Sequence, residues 1–173
     1  MTVPYTITIN DAISSTTGMT VNDNTSATHA GTVALNGNLA NAGTISVGGG
    51  TLELGETAVT SLGQAITTNN GTVELTGGTL TQNIAGATTI TGTVTDNNAT
   101  LGNITITNTG NFTDNGGAFT TADNAGTFTI NGVTLTADGT SIKNTNVLNL
   151  TGTNTIKTIT DAETPVGVTN ITG

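Results

Sequence analysis

Apolar residues return every seven positions through the middle of the chain, a spacing we call the seven-residue beat. The run is Ile45, Leu52, Val59, Ile66, Val73, Leu80, Ala87, Val94 and Leu101. Where a second apolar residue is present, as at Val47, Leu54 and Leu75, it follows two positions later, which is the alternation of a β-strand. A coiled coil would need that second residue three or four positions along, with charged flanks. The flanks here are Thr and Gly, so the pattern predicts short strands.

A longer repeat encloses these strands. A Gly-Thr-apolar unit recurs at intervals of three beats, as Gly50-Thr51-Leu52, Gly71-Thr72-Val73 and Gly92-Thr93-Val94. Three strands and three corners fit such a unit, because Gly and Asn tolerate the positive φ that corners require. Successive coils would then pair as parallel strands spaced about 4.8 Å apart. The sequence therefore predicts an all-β fold, a parallel β-solenoid with three sides, about 21 residues per coil and roughly eight coils.

This register predicts the core and the boundaries of the solenoid. The predicted core is lined by Ile45, Leu52, Val59, Ile66, Val73, Leu80, Val94 and Leu101. Residues 1–28 lack the Gly-Thr unit and are interpreted as an N-terminal cap or lead-in strand. Residues 29–160 form the coils and residues 161–173 a C-terminal strand or cap, within one domain. An antiparallel β-sandwich or barrel is the alternative, because it also joins short strands through Gly and Asn turns.

Composition supports an ordered chain and narrows its function. Thr, Gly and Asn number 45, 24 and 22 of 173 residues, the mean hydropathy is +0.05 and the net charge is −9. Disordered chains usually combine low hydrophobicity with high net charge, so order is favoured. Two Lys and no Arg give no basic surface for a nucleic acid, and the lack of Cys excludes disulfides. No apolar stretch is long enough for a membrane span.

Three Gly-Thr units carry a resemblance to a known class of protein. Gly43-Thr44-Ile45-Ser46-Val47, Gly71-Thr72-Val73-Glu74-Leu75 and Gly126-Thr127-Phe128-Thr129-Ile130 resemble the β-helical passenger repeats of bacterial autotransporter and filamentous-haemagglutinin-like surface adhesins. The resemblance covers residues 31–160 and is one of repeat style. It implies a secreted protein at a bacterial surface, serving as a stalk, an adhesin or a matrix fibre. The start Met1–Tyr5 has neither a basic nor an apolar leader, so the export route stays open.

Two acidic residues raise the question of catalysis. Glu53 and Glu74 are three beats apart, so the predicted register stacks them about 5 Å from each other, as in a retaining glycosidase. A polysaccharide-cleaving enzyme would also be expected to offer aromatic platforms and an Arg. The chain has no Trp, no Arg and one Tyr, so we expect two solvated glutamates and no catalytic or cofactor-binding residues.

Acidic corners are the candidate metal ligands. Asp96, Asp114 and Asp123 each begin an Asp-Asn sequence and could offer oxygen ligands to Ca²⁺, although ordinary turn chemistry explains them without an ion. They match neither the EF-hand loop nor the calcium-binding nonapeptide repeat. His29 is the only His and is expected to be a cap or surface residue.

Two further expectations concern surfaces. Thr-x-Thr units such as Thr93/Thr95 and Thr127/Thr129 suggest ice binding, but stacking by three beats places Thr93/Thr95 on Thr72/Glu74 and interrupts the Thr ladder. Glycan or host-surface binding is the other alternative to a purely structural role. The strand-like segments Val3–Ile9 and Val166–Ile171 lie near the prolines Pro4 and Pro165, and we expect them to pair between subunits, end to end.

Overall fold

The computed structural model describes residues 5–14, 17–21, 31–40, 43–135, 140–156, 158–161 and 167–172, and most of these lie in β-strands. In chain order the elements are β1 (Thr6–Ile9), β2 (Met19–Val21), β3 (Thr32–Leu35), β4 (Ile45–Val47), β5 (Thr51–Leu54), α1 (Glu56–Thr60), β6 (Ile66–Leu80), β7 (Ile84–Asp96), β8 (Thr100–Ile106), β9 (Asn111–Asp114), β10 (Ala118–Asn124), β11 (Thr127–Asn131), β12 (Thr134–Leu135), β13 (Ser141–Asn144), β14 (Val147–Thr151), β15 (Thr155–Ile156), β16 (Ile159–Asp161) and β17 (Val168–Thr172).

Every pairing between these strands is parallel, and the chain winds repeatedly around three sides. Side 1 stacks β1, β3, β5, β6, β7, β8, β10, β13 and β16. Side 2 begins with β2 and β4 and continues into the first residues of β6 and β7. Side 3 stacks the ends of β6 and β7 with β9, β11, β14 and β17. The predicted parallel β-solenoid is confirmed, and an antiparallel sandwich or barrel is excluded.

The length of the turn differs from the prediction. Turns average about 19 residues, not 21, and their number is about 7, close to the roughly eight coils predicted. Thr51 pairs with Thr72 as predicted, but Thr72 then pairs with Ala87, only about two beats further along the chain. The physical reason is that sides 3 and 2 shorten at this level, so the chain returns to side 1 sooner. The third Gly-Thr unit, Gly92-Thr93-Val94, therefore lies on side 3.

The core fills the space between the three sides. All eight residues predicted to line it are buried, with exposures of 2% or less. Ala87, the remaining member of the seven-residue beat, faces outward, and Thr88 takes the inward position between Val73 and Ile104. Three aromatic rings pack against one another in the core. Phe128 stacks on Phe112 with ring centroids 5.3 Å apart, and the centroids of Phe128 and Phe119 are 5.6 Å apart.

A short helix, α1, replaces a strand on side 3 and was not predicted. Ala58 and Val59 are both fully buried, although adjacent residues of a strand would face opposite ways. Gly78 of the next coil has φ +101°, and a Cβ there would lie 2.6 Å from the Glu56 carbonyl oxygen, so helix and strand approach closely. No helix in the described residues is long and apolar enough to span a membrane.

Candidate functional site

Two of the three candidate calcium ligands lie together at one corner of the solenoid. Asp96 ends β7, Asp114 ends β9, and the two are paired in register on side 3. Each is 1% exposed. The Ala99 N–H donates to Asp96 Oδ1 at 2.8 Å, and the Gly117 N–H donates to Asp114 Oδ1 at 2.7 Å. We call these two residues the aspartate stack.

The loops that follow the aspartate stack have the same design. Asn98 and Gly116, each two residues after its Asp, both have positive φ, of 66° and 108°. Asn and Gly are the residues that adopt this conformation most readily. The next residue, Gly117, has to be a glycine because a Cβ at position 117 would overlap with Asp96 Oδ2. The carboxylates therefore shape two stacked turns, which is a structural reason for their presence.

Burial makes the aspartate stack unusual electrostatically. Burial raises the pKa of Asp96 from 3.8 to about 7; the hydrogen bond from Ala99 opposes this shift, and the charge of Asp114 adds to it. Burial likewise raises the pKa of Asp114. Asp114 Oδ2 is buried without a hydrogen-bond partner. A proton on this pair therefore relieves both the repulsion and the desolvation of charge.

The third candidate ligand, Asp123, lies elsewhere. It faces outward on side 1, next to Lys143 of the following coil, with Lys143 Nζ 3.7 Å from Asp123 Oδ2. The three aspartates thus do not form one cluster. Within the described residues, no group of three or more His, Cys, Asp or Glu side chains could hold a metal ion. His29, Pro4 and Pro165 lie outside those residues.

A second buried polar pair was not predicted. Asn124 ends the side 1 segment of β10, Asn144 ends β13, and both have zero exposure. Asn124 Nδ2 donates to Asn144 Oδ1 and to the Val147 carbonyl oxygen, both at 2.8 Å, and Asn124 Oδ1 accepts from the Gly126 N–H at 3.1 Å. We call this pair the asparagine stack. Its sequence signal was an Asn in the inward phase directly before a corner, which resembles an ordinary turn residue.

The two glutamates stack as the sequence predicted. Glu53 of β5 pairs with Glu74 of β6 on the outward face of side 1. Both are half-buried, and Thr91 Oγ1 donates to Glu74 Oε1 at 3.1 Å. All three Phe residues lie in the core. The three Phe rings are therefore not available at the surface around the glutamates to stack against a sugar.

Side 3 presents an ordered polar surface, which we call the threonine face. Thr79, Thr95, Thr113 and Thr129 occupy one outward column on four successive coils. The prediction that Thr93/Thr95 stack on Thr72/Glu74 is wrong, because the shortened turn moves them onto Gly77/Thr79. An asparagine column runs beside it at the corner: Asn115 Nδ2 donates to Asn97 Oδ1 at 3.2 Å, and Asn131 Nδ2 donates to Asn115 Oδ1 at 2.6 Å.

One shallow depression interrupts the threonine face where α1 meets β6 and β7. It has a volume of about 410 Å³ and is lined by Glu56, Thr76, Gly77, Gly78, Thr79, Thr93 and Thr95. Hydroxyl groups and one carboxylate are the polar groups it offers. Such a lining can form hydrogen bonds to a polar ligand such as a sugar.

Comparison with known proteins adds no relative. No protein family matches the chain, and no match is found among curated proteins or solved structures. The resemblance to bacterial surface adhesins therefore rests on the style of the repeats, with which the β-solenoid fold of this chain is consistent.

Proposed function

We propose that this chain is an extracellular structural or adhesive protein of a bacterial surface, in which the solenoid builds a stalk, fibre or matrix. The observation that carries the proposal is the unbroken side 1 stack of nine parallel strands over one continuous core. At about 4.8 Å per strand, its eight steps give a rod about 40 Å long. Among the described residues, the rod carries shallow depressions such as the one beside α1, and such a shape suits bearing and presenting a surface better than enclosing a substrate.

The polar shell supports a stiff rod. Outward side chains are hydrogen-bonded from coil to coil, as in Thr121 Oγ1 to Asn103 Oδ1 at 3.0 Å and Asn170 Nδ2 to Asn149 Oδ1 at 2.8 Å. Such links add to the backbone ladder, so neighbouring coils are held by both main chain and side chains. The partners we propose are other copies, end to end, and glycans or a host surface along the rod.

Electron microscopy and a glycan array test the proposal on the purified chain. We expect rods or fibres of constant width, and retention of a subset of polar glycans. A matched pair of variants locates any glycan contact: Thr95→Lys changes the threonine face, whereas Thr105→Lys changes side 1. Compact particles that bind no glycan and no cell surface would contradict both forms of the role.

Ice binding is a second candidate, favoured by one observation. The column Thr79, Thr95, Thr113 and Thr129 is continuous over four coils, and the outward positions beside it, such as Thr93 and Thr127, carry no charge. A flat array of hydroxyl and methyl groups can order water. We expect Thr113→Lys to abolish thermal hysteresis and Thr105→Lys to leave it unchanged. Absence of hysteresis in the unmodified protein at millimolar concentration would eliminate this candidate.

A further inference from the structure

The large apolar side chains that the structure leaves exposed lie at the two ends of the rod. Among the described residues they are Tyr5 at 51%, Ile7 at 52%, Ile159 at 37%, Val168 at 55% and Ile171 at 78% exposure. Tyr5 and Ile7 belong to the first coil, and the other three belong to β16 and β17. Apolar surface concentrated in this way marks a site of association.

Ile7 and Ile159 are the two ends of a single inward column. On side 1 the paired positions run Ile7, Val33, Leu52, Val73, Thr88, Ile104, Ala122, Ile142 and Ile159. From Leu52 to Ile142 every member is buried, whereas the first and the last are exposed. Each end therefore exposes a section of core that the inner coils cover.

The first coil directs one set of peptide groups to an edge with which no described strand pairs. Tyr5 and Ile9 direct their carbonyl oxygens to β3, where they accept from the N–H groups of Thr32 and Asn36, both at 2.9 Å. Because alternate residues of a strand turn their peptide groups to opposite sides, Thr6 and Thr8 direct theirs to the outer edge of β1. No described strand pairs with that edge.

The last coil directs the complementary set to the outer edge of β16. The Thr158 carbonyl oxygen accepts from the Ile142 N–H at 3.0 Å, so Thr158 faces β13 and Ile159 faces the outer edge of β16. In a parallel pair, a residue bonds to the two residues that flank its partner. An Ile159 opposite Ile7 of another copy would thus bond to Thr6 and Thr8, which are the residues with outward-directed groups.

The first coil also has room for apolar side chains. A cavity of about 290 Å³ opens there, and its lining includes Tyr5, Ile7, Met19, Val21 and Val33. Most of these residues are apolar, so covering them with apolar side chains of another copy is favourable.

We infer that copies of this chain stack head to tail, with β16 of one copy pairing in parallel with β1 of the next and Ile159 opposite Ile7. The inference deepens the proposed structural role and rests on it. The second copy is the occupant we commit to, because the outer edges of β1 and β16, which no described strand covers, continue the same column in the same phase. The contact joins unlike surfaces, so it repeats without closing and produces a fibre.

Cysteine pairs test the register. The chain has no native Cys, and the proposed register places Thr160 of one copy opposite Thr8 of the next. Both residues are exposed. Neighbouring strands are about 4.8 Å apart, within the usual Cα separation of a disulfide. We expect a mixture of Thr8→Cys and Thr160→Cys chains to form disulfide-linked dimers on mild oxidation. A Thr6→Cys and Thr160→Cys mixture is offset by two positions along the strand and should cross-link far less. Equal cross-linking of the two mixtures would overturn the register.

Charged variants test the polarity of the contact. Ile7→Lys and Ile159→Lys each place an unpaired charge in the proposed contact, so each should assemble at least about tenfold more weakly than the unmodified chain. When mixed, each supplies the end that the other lacks, and sedimentation should show dimers but no longer species. The mid-rod variant Thr105→Lys should assemble normally. Unfolding curves test whether each variant is folded. We expect both to fold, because Ile7 and Ile159 are exposed in the single chain.

Three outcomes overturn the inference: an unmodified chain that stays monomeric at high micromolar concentration, charged variants that assemble normally, or a mixture that forms no dimers. The proposed function fails separately. A monomeric chain that still binds glycans or cells refutes the stacking and keeps the adhesive role. A chain that stacks in this register without binding any surface supports the fibre and removes adhesion.

Discussion

The aspartate stack and the asparagine stack occupy similar places and have opposite energetics. Each pair ends two successive strands at a corner, each is buried, and each accepts a hydrogen bond from a backbone N–H of its turn. An amide both donates and accepts, so Asn124 can bond to Asn144 on the next coil. An ionised carboxylate only accepts, so Asp96 and Asp114 repel each other and Asp114 Oδ2 remains without a partner.

The difference shows which side chains a repeating coil can stack in its interior. A buried polar side chain that recurs in successive turns lies against an identical side chain of the next turn. The pair is stable only if the side chain can form favourable interactions with a copy of itself. Asparagine satisfies this condition at any pH. Aspartate comes closer to satisfying it when one of the two carboxyl groups holds a proton, because the repulsion between the two charges is then removed.

The largest expected effect comes from giving the asparagine stack a charge. Asn124→Asp removes the donor that bonds to Asn144 Oδ1 and the Val147 carbonyl oxygen, and leaves a buried carboxylate against two acceptors. We expect urea unfolding at pH 8 to show a loss of about 3–5 kcal/mol. The exposed substitution Asn108→Asp is the control and should change stability little. An equal loss in both variants would show that added charge alone, without burial, is responsible.

The next effect comes from removing the charge of the aspartate stack. Asp96 has a pKa raised to about 7 in the folded protein, so the folded state binds more protons than the unfolded state between about pH 4 and 7. The contribution of Asp96 is therefore most favourable below about pH 4 and is lost as the pH rises through 7. Asp96→Asn keeps the acceptor for the Ala99 N–H but cannot ionise.

Unfolding of the two proteins at pH 4, 6 and 8 measures this effect. We expect the free energy of unfolding of Asp96→Asn, measured relative to that of the unmodified chain, to increase by about 2–4 kcal/mol as the pH is raised from 4 to 8. A stability difference that is the same at all three pH values would mean that Asp96 does not titrate as the structure requires.

A smaller effect is expected from a buried hydroxyl on side 1. Thr88 Oγ1 lies in the core without a hydrogen-bond partner, in the column between Val73 and Ile104. Thr88→Val replaces the hydroxyl with a methyl group of similar size, and we expect a gain of about 1 kcal/mol in the free energy of unfolding. The neighbouring outward residue gives the control, Thr89→Val. A loss on Thr88→Val would indicate that the hydroxyl has a partner, such as a buried water.

The smallest effect is expected from a carboxylate that stacks outside the core. Asp123 and the Lys143 above it are both more than half exposed. Asp123→Asn should alter stability by less than about 0.5 kcal/mol at pH 8, since exposed ion pairs contribute little. A change comparable to that of Asp96→Asn would show that the charge, and not its burial, sets the energetics of the aspartate stack.

The sequence predicted the fold class and core because both depend on alternation within short strands. All eight named core residues are buried, and Glu53 stacks on Glu74 as expected. The register beyond Thr72 could not be predicted, because Gly71-Thr72-Val73 and Gly92-Thr93-Val94 read alike although they lie on different sides. Helix α1 was missed because five residues carry too little periodicity to distinguish a helical turn from a corner.

The candidate site was predicted only in part. The Asp-Asn sequences identified Asp96, Asp114 and Asp123 as a set, but they could not tell which residues face inward. That depends on the phase of each strand as it reaches the corner, and Asp123 is one residue out of phase with the inward Asn124. The continuous Thr79, Thr95, Thr113 and Thr129 column was missed for the same reason as the register.

The uneven turns have a consequence for how such a protein can change over generations. On side 1, Thr6 pairs with Thr32, Thr72 with Ala87 and Thr121 with Ser141, so the length of chain between neighbouring strands varies widely while the parallel register is kept. Insertions and deletions at corners are therefore absorbed without moving any inward residue to the outside. Two descendants of one ancestor could keep every column of the core and still differ so much in spacing that their sequences no longer align.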